Sequence, residues 1–470
     1  MLGRFAAAGF LIVAATATCV AAVTLLLIDG HRPSPIPGWK GHDPGPGKPQ
    51  TILLLGSDQR YRDTRNGTPG RSDTIMLVRL DPDRHATAVM SIPRDLKVDI
   101  PTRQGKVTDK INAAYTLGGP PETVRTVRRL LGIPIHHVVN VNFAGFRRLV
   151  NRLGCFYQDV DRAYFNDNAP PTASPAPYAT IDVKAGYQLL CGQDTLDWAR
   201  FRHLDDDVVR SARQQEVVRA AKDQVTTSSL LEDRQALLEV IGRHTQSDLQ
   251  SAAATIRLLK LGYAASRQPL REVAFPSSPT PEGTFLVTTP ADVRRAVRAF
   301  LAPSRPARQR RTPAARPTRT PSGAAPDTVV DRIGGENATL DLAVRAGFPV
   351  YYPKRRLARG GYVAGTRAYV LRTRTGAPHR AYRIVLAQGD IGQYYGVQGT
   401  TWRTPPLLDA PHDTRRVRGR TYQVYTDAGR IRMVAWRTPT AAYWVSNTLS
   451  QRLTNAQMLG IATSLTRVGM

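Results

Sequence analysis

Apolar and polar positions run along the chain in blocks that divide it into two folded units. TILLLGSD at 51–58 is an apolar run of strand length ending in a turn, and the pattern recurs in TIMLVRL at 74–80 and ATAVMSI at 86–92. Runs apolar at nearly every position belong to strands covered on both faces. Helical spacing appears in ETVRTVRRLLG at 122–132, FAGFRRLVNRLG at 143–154, VVRSARQQEVVRAAKDQVTT at 208–227 and DLQSAAATIRLLKLGYAAS at 248–266. Strands that alternate with such helices predict an α/β domain over residues 50–301.

After Leu301 the texture changes. Residues 302–327 hold six prolines and six arginines, the composition of an extended linker. Strand patterns return in RAYVLRT, YRIVLAQ, TYQVYTD and RIRMVAWRT, and an Ala-Gly turn between the last two predicts a hairpin. Thr454 and Gln457, three apart, form a capping box for a terminal helix. Residues 328–470 are expected to form a separate small α+β domain.

The N-terminus sets the compartment. Phe5 to Ile28 is an uncharged run of 24 residues, long enough to cross a hydrocarbon core of about 30 Å as a helix. Residues 1–28 read as a cytoplasmic stub and single transmembrane anchor, with a cleaved signal peptide as the alternative. Thr18 before Cys19 argues against a lipoprotein. Residues 29–49 form a Pro/Gly-rich spacer. The bulk of the chain is then extracellular, held at the cell membrane. There Cys155 and Cys191 are expected to form a disulfide, two separately buried thiols being the alternative.

Charge narrows the partners. Lysine and arginine number 65 against 37 acids, and only nine of the bases are lysine. Guanidinium grips phosphate and carboxylate with paired hydrogen bonds. Residues 302–470 hold 27 bases and 8 acids, against 38 and 29 in residues 1–301. Beyond a membrane such charge points to anionic lipid head groups or wall polymer rather than nucleic acid. Residues 328–470, with 21 bases, 7 acids and no recognisable catalytic set, read as a binding module for such a surface.

No GxxxxGK[ST], HExxH, GxSxG or CxxC motif occurs, which removes the usual P-loop, zinc-protease, serine-hydrolase and dithiol readings. What remains is a set of acids and arginines at strand ends, where α/β sheets place their ligands. Asp58 follows LLLGS, Arg71 and Asp73 open the next strand, and Arg94 and Asp95 close another. A lone surface arginine or aspartate is ordinarily solvated; the ordered set is what carries weight. His136 and His137 precede a strand and read as structural. Phe143, Phe146, Leu149 and Leu153 share a helical face that lines either a lipid tunnel or the core.

The blocks ILLLGSD, RSDTIMLV, SIPRD, KINAAYTLGG, GIPIHHVVNVNFAGFRRLVNRLG and ARFRHLDDDVVRSARQQEVV, in this order, resemble the LytR-CpsA-Psr family of bacterial cell-envelope proteins. The resemblance covers about residues 50–230. It implies an α/β/α domain with a central sheet and a lipid-binding pocket. It also implies a magnesium- or manganese-dependent phosphotransferase that moves a glycopolymer from a polyprenyl pyrophosphate carrier to peptidoglycan. By position within the blocks, Arg94, Asp73 and Arg71 match catalytic residues, and Arg94, Arg200, Arg202, Arg210 and Gln214 match substrate-binding ones. Asp58 and Asp73 match the acids near the metal, with Asp207 a weaker candidate. One departure is DVVR where members commonly read DFGR, which puts Val209 in place of glycine beside Arg210. The cysteine pair and the arginine-rich usage agree with an actinobacterial member. A non-enzymatic polymer binder or transcriptional attenuator, and a hydrolase that gives the carrier to water, are the alternative readings.

Overall fold

The computed structural model describes residues 32–45, 47–57, 70, 72–82, 86–167, 179–201, 207–225, 234–251, 270–302, 327–427 and 429–469, with 254, 258 and 261 among them. Along the first part come β1 (Gln50–Ser57), β2 (Ser72–Asp81), β3 (Ala86–Ser91), a hairpin of β4 (Lys97–Thr102) and β5 (Gly105–Lys110), α1 (Ala113–Leu131), β6 (His137–Asn142) and α2 (Phe143–Arg152). There follow β7 (Phe156–Val160), β8 (Tyr164–Asn166), β9 (Ile181–Val183), β10 (Gly186–Leu190), α3 (Gly192–Arg200), α4 (Asp207–Gln224), α5 (Arg234–His244), β11 (Thr245–Ser247), β12 (Leu270–Val273) and α6 (Pro290–Leu301).

Six strands form one mixed sheet in the order β11-β6-β1-β2-β3-β12. Because successive side chains point to opposite faces, an all-apolar strand feeds two cores. Leu53, Leu55, Leu77 and Met90 pack on Val124 and Val127 of α1 and on Val293 and Phe300 of α6. Ile52, Leu54, Val78, Leu80 and Val139 meet Leu258 and Leu261 on the other face. This is the α/β fold with central sheet that the sequence predicts.

α1 begins earlier than its periodicity suggests. A first turn from Ala113 joins the expected helix across a kink at Gly118 and Gly119, where Gly119 takes φ +64°, and Pro120 and Pro121 then restart the helix at positions that need no N–H donor. The helix expected over 248–266 is corrected at its start: residues 248–251 are not helical. Asp248 instead takes the Val138 N–H (2.6 Å) and His137 Nδ1 (2.8 Å). The Nδ1 of His136 accepts from Thr51 N at 2.8 Å, and both imidazoles serve the fold, as the sequence suggests. Among the described residues no helix is long and apolar enough to cross a membrane; the run at 5–28 lies outside them.

β7 and β10 pair antiparallel with Phe156 opposite Leu190. The residues just beyond that pair, Cys155 and Cys191, are therefore brought face to face, and the structure joins them in a disulfide with Cα atoms 4.5 Å apart.

The C-terminal unit is built on an eight-stranded antiparallel sheet. Its strands are β13 (Gly361–Tyr362), β14 (Arg367–Arg372), β15 (Pro378–Ala387), β16 (Tyr394–Thr400), β17 (Asp413–Val417), β18 (Arg420–Asp427), β19 (Arg430–Arg437) and β20 (Ala442–Ser446). The order is β13-β15-β16-β20-β19-β18-β17, with β14 also on β15. The expected hairpin joins β18 to β19. The capping box is present at Thr454 and Gln457, opening α7 (Asn455–Thr463), which lies over a core that includes Tyr382, Trp436 and Tyr443.

This unit packs firmly on the α/β domain. Buried Arg383 donates to Asp159 Oδ1 of β7 at 3.0 Å, and Trp444 Nε1 donates to the other oxygen at 3.1 Å. Tyr369 donates to Tyr187 O at 2.9 Å, and Arg367 to Ala185 O at 2.7 Å. Tyr157 and Tyr187 fill one aromatic cluster with Trp444 and Trp402. A second contact is ionic: Arg219 of α4 bonds Glu272 of β12 (2.8 Å) and Asp427 of β18 (2.9 Å).

Two expectations follow from this packing. Replacing Cys155 and Cys191 by serine opens a loop closed across 36 residues and should lower unfolding free energy by about 3 to 4 kcal/mol, read by denaturant titration against the oxidised protein. Burial, ahead of the attraction of Arg219 and aided by Glu216 and Asp427, pushes the Glu272 carboxyl up from 4.5 to about 7. The folded chain thus holds this proton more tightly than the unfolded one. Its contribution is full below pH 4.5 and is lost as pH rises to about 7. The melting temperature of Glu272→Gln should lack that decline when profiles of the two proteins are compared.

Candidate active site at the strand ends

Register assembles the site. β1 runs parallel to β6, with Ser57 beside Asn142, and antiparallel to β2, with Ser57 beside Ser72. The C-terminal ends of β1 and β6 and the start of β2 therefore share one edge of the sheet. β3 ends there too, where Ile92 N donates to Ile75 O at 2.8 Å.

Asp73 and Arg94 meet on this edge. Arg94 Nη1 donates to Asp73 Oδ1 at 2.7 Å, with the Arg94 side chain 18% exposed. Its Nε lies 3.4 Å from Asp95, whose other oxygen binds Lys110 at 3.1 Å. The backbone here is pinned as well: Asn112 N donates to Arg94 O, and Leu286 N to Asp95 O. A cation so held needs little reorganisation when an anion arrives.

Arg200 reaches the same edge from α3. Asn142 closes β6 and caps α2 by accepting from Gly145 N at 2.8 Å. The next residue, Phe143, lies under the Arg200 guanidinium at 5.5 Å. Asp197, one turn before Arg200, accepts from its Nε (3.0 Å) and Nη2 (2.6 Å). Gln193 donates to the other Asp197 oxygen at 2.8 Å. Burial, and then the charge of Asp197, raises the neighbouring Asp194 carboxyl. Arg200 is the last residue of α3.

Arg210 and Gln214 stand one turn apart on α4, Arg210 buried and Gln214 half-buried. Val209 is fully buried in the same helix, so α4 accommodates valine at the position of the family glycine by packing it. Asp58, Arg71 and Arg202 lie outside the described residues, as does the side chain of Asp207. Phe146 and Leu153 pack with Val150, Phe156 and Ala220, so for these two the core reading of the α2 stripe holds.

Sequence reasoning passed over two residues that position the site. Asp197, which holds Arg200, carries the DxxR spacing of a helical ion pair. Arg213, in the same R-x-x-R spacing as Arg210, is fully buried. It donates to Phe201 O at 2.8 Å and lies 4.8 Å from the Tyr164 ring, tying α4 to the segment that leaves Arg200.

An acid-backed row of guanidiniums along the carboxyl ends of a sheet suits a phosphorylated ligand. The chain belongs to the LytR_cpsA_psr family, whose model matches residues 38–285. Similar proteins include the polyisoprenyl-teichoic acid–peptidoglycan teichoic acid transferase TagV of Bacillus subtilis, 32% identical over 43% of this chain and 50% of the relative. The TagU transferase of Halalkalibacterium halodurans is 34% identical over 43% of this chain and 62% of its own length. The match thus spans half to just under two thirds of these relatives. The solved structure of TagT bound to LIIa-WTA matches 57% of this chain and 98% of its own at 24% identity and TM-score 0.44.

If Arg213 braces the segment after Arg200, Arg213→Ala should cost about 3 kcal/mol of stability, in the range of other buried large-to-small changes. Chemical denaturation of the purified variant checks this.

Proposed function

We propose that this protein is an extracytoplasmic glycopolymer transferase, anchored in the cell membrane by the apolar run at 5–28. It takes a polymer from a polyprenyl pyrophosphate carrier and joins it to peptidoglycan. The observation that carries the reading is the pair of acid-held arginines, Arg94 and Arg200, on one strand-end edge. The transferase names of the relatives support it, as does the disulfide, which suits an exported chain.

In this mechanism a peptidoglycan hydroxyl attacks the phosphorus that bears the polymer. A new phosphorus–oxygen bond forms, the bond to the bridging oxygen of the diphosphate breaks, and the hydroxyl proton ends on the departing polyprenyl phosphate. Charge builds on the oxygens of that leaving phosphate. Arg94 and Arg200, already fixed by Asp73 and Asp197, stabilise it without first having to be ordered. Arg210 and Gln214, from α4, and Arg71 and Arg202 complete the head-group contacts in this reading. The apolar sheet face around Leu54, Val78 and Val139, only half-buried against Leu258, offers a bed for the prenyl chain.

Magnesium or manganese fits the donor chemistry. Among the described residues no group of three or more His, Cys, Asp or Glu side chains is arranged for a metal. Magnesium, however, commonly takes only one or two carboxylates and completes its shell with phosphate and water. Asp73 and Asp58 would hold it, and when bound it would neutralise the diphosphate as the bond breaks. The basic C-terminal unit, in this account, docks on anionic wall polymer or membrane.

Arg94→Ala and Arg200→Ala should each lower the transfer rate about 100- to 1,000-fold, the usual worth of one placed oxyanion donor. Release of polyprenyl phosphate from lipid-linked polymer, with purified peptidoglycan as acceptor, measures it. The same assay in excess chelator should fall to background. Equal release with and without peptidoglycan would mark a hydrolase instead.

A further inference from the structure

A groove of about 340 Å³ opens between α2 and α5, outside the strand-end site. Arg148, Asn151 and Arg152 line it from α2, and Glu239, Arg243 and His244 from α5. The α2 residues, at spacings of three and four, share the helix face turned toward α5.

Its chemistry is that of an oxyanion receptor. Among the described residues that line it, Arg148 and Arg243 bring two guanidiniums to the side of α5 where Glu239 stands. Glu239 pairs with Arg243 at 3.1 Å, but the two side chains are 44% and 70% exposed, so the pair holds Arg243 only weakly. Arg148 Nη1 lies 2.5 Å from His244 Nε2; a guanidinium can only donate, so this imidazole nitrogen is the acceptor and the ring is neutral. Burial, then the charges of Arg148 and Arg243, hold the His244 pKa below its usual value. Asn151 has its carboxamide oxygen on Gly192 N at 2.7 Å, which leaves its NH2 to donate.

The groove adjoins the reacting edge. His244 directly precedes Thr245, which pairs with Val141 near the end of β6. A Cβ on Gly145, in the first turn of α2, would fall 2.4 Å from His244 Cβ, so this turn and the end of α5 touch. Arg148 and Arg152 lie roughly 7.5 and 13.5 Å along the helix from Phe143 at 1.5 Å per residue, and Phe143 sits beneath Arg200.

We infer that the groove between α2 and α5 binds a phosphate oxyanion, at a place distinct from the diphosphate that reacts. Arginine forks match phosphate geometry in pairs. If the transferase reading holds, the ligand is a phosphodiester further along the polymer, and remote contact of this kind helps to hold the reacting phosphorus in position. The phosphate site itself does not depend on that reading.

The test uses the full chain in detergent with two probes, inorganic phosphate and a short poly(glycerol phosphate) oligomer. Slow deuterium exchange at the histidine Cε1, read by mass spectrometry, follows the His244 pKa, and equilibrium dialysis follows retention. A bound phosphate draws Arg148 away and adds negative charge, so the His244 pKa should rise. Arg148→Gln with Arg243→Gln should abolish the rise and weaken retention about tenfold or more, the scale of one lost hydrogen bond to a charged group. A larger effect of the oligomer at equal phosphate concentration identifies polymer as the ligand; an equal effect identifies free phosphate. His244 unmoved by either probe at millimolar concentration overturns the site. Failure of the transferase reading is separately visible, as absent polyprenyl pyrophosphate binding to the wild-type chain, whatever His244 does.

Discussion

A guanidinium aids diphosphate chemistry only if it waits where the negative charge will grow, and a long flexible side chain does not wait there unaided. The Arg94–Asp73 contact at 2.7 Å meets that requirement, and the Arg200–Asp197 pair repeats it from a helix. Neither carboxylate would hold an arginine at the strand-end edge without the register of β1, which places Ser57 beside both Ser72 and Asn142. A one-residue slip in that register would turn every apolar side chain of β1 to the opposite face. The same packing of Leu53 and Leu55 against α1 and α6 that builds the core thus fixes where the arginines stand.

The C-terminal unit extends this economy of charge. Arg383 and Arg219 are buried arginines answered across the contact: Arg383 of the C-terminal unit by Asp159 of the α/β domain, and Arg219 of the α/β domain by Asp427 of the C-terminal unit. Desolvation offsets much of the attraction in such buried pairs, so they add little to net stability. Apolar adhesion comes from Tyr157, Tyr187 and Trp444. The β7–β10 ladder, tied at its end by the disulfide, presents the polar groups that β14, β15 and β20 grip.

Much of this was legible in the residue pattern. All-apolar strands announced the covered sheet, turn residues its ends, and strand ends the position of Asp73 and Arg94. The Thr454 capping box and the hairpin at β18–β19 are local signals, and local signals survive folding. What escaped depends on distant partners. His137 finds Asp248 only because β11 folds back along β6, and Arg213 becomes a brace only once Phe201 lies against α4. The strand at 394–400 was hidden by its glycines, which packing demands: a Cβ on Gly396 would fall 2.2 Å from Ile384 O. The whole of α6 was missed despite a Thr289 cap followed by proline, a signal the chain does carry.

The account stands on where the diphosphate binds, and a crystal structure of the ectodomain with a short-chain polyprenyl pyrophosphate and magnesium would show it directly. The expected density places both phosphates on the strand-end edge, within hydrogen-bonding reach of Arg94 and Arg200, with the prenyl chain entering the sheet face beside Leu54 and Val78. A head group bound elsewhere, with Arg94 and Arg200 still turned only to Asp73 and Asp197, would contradict it.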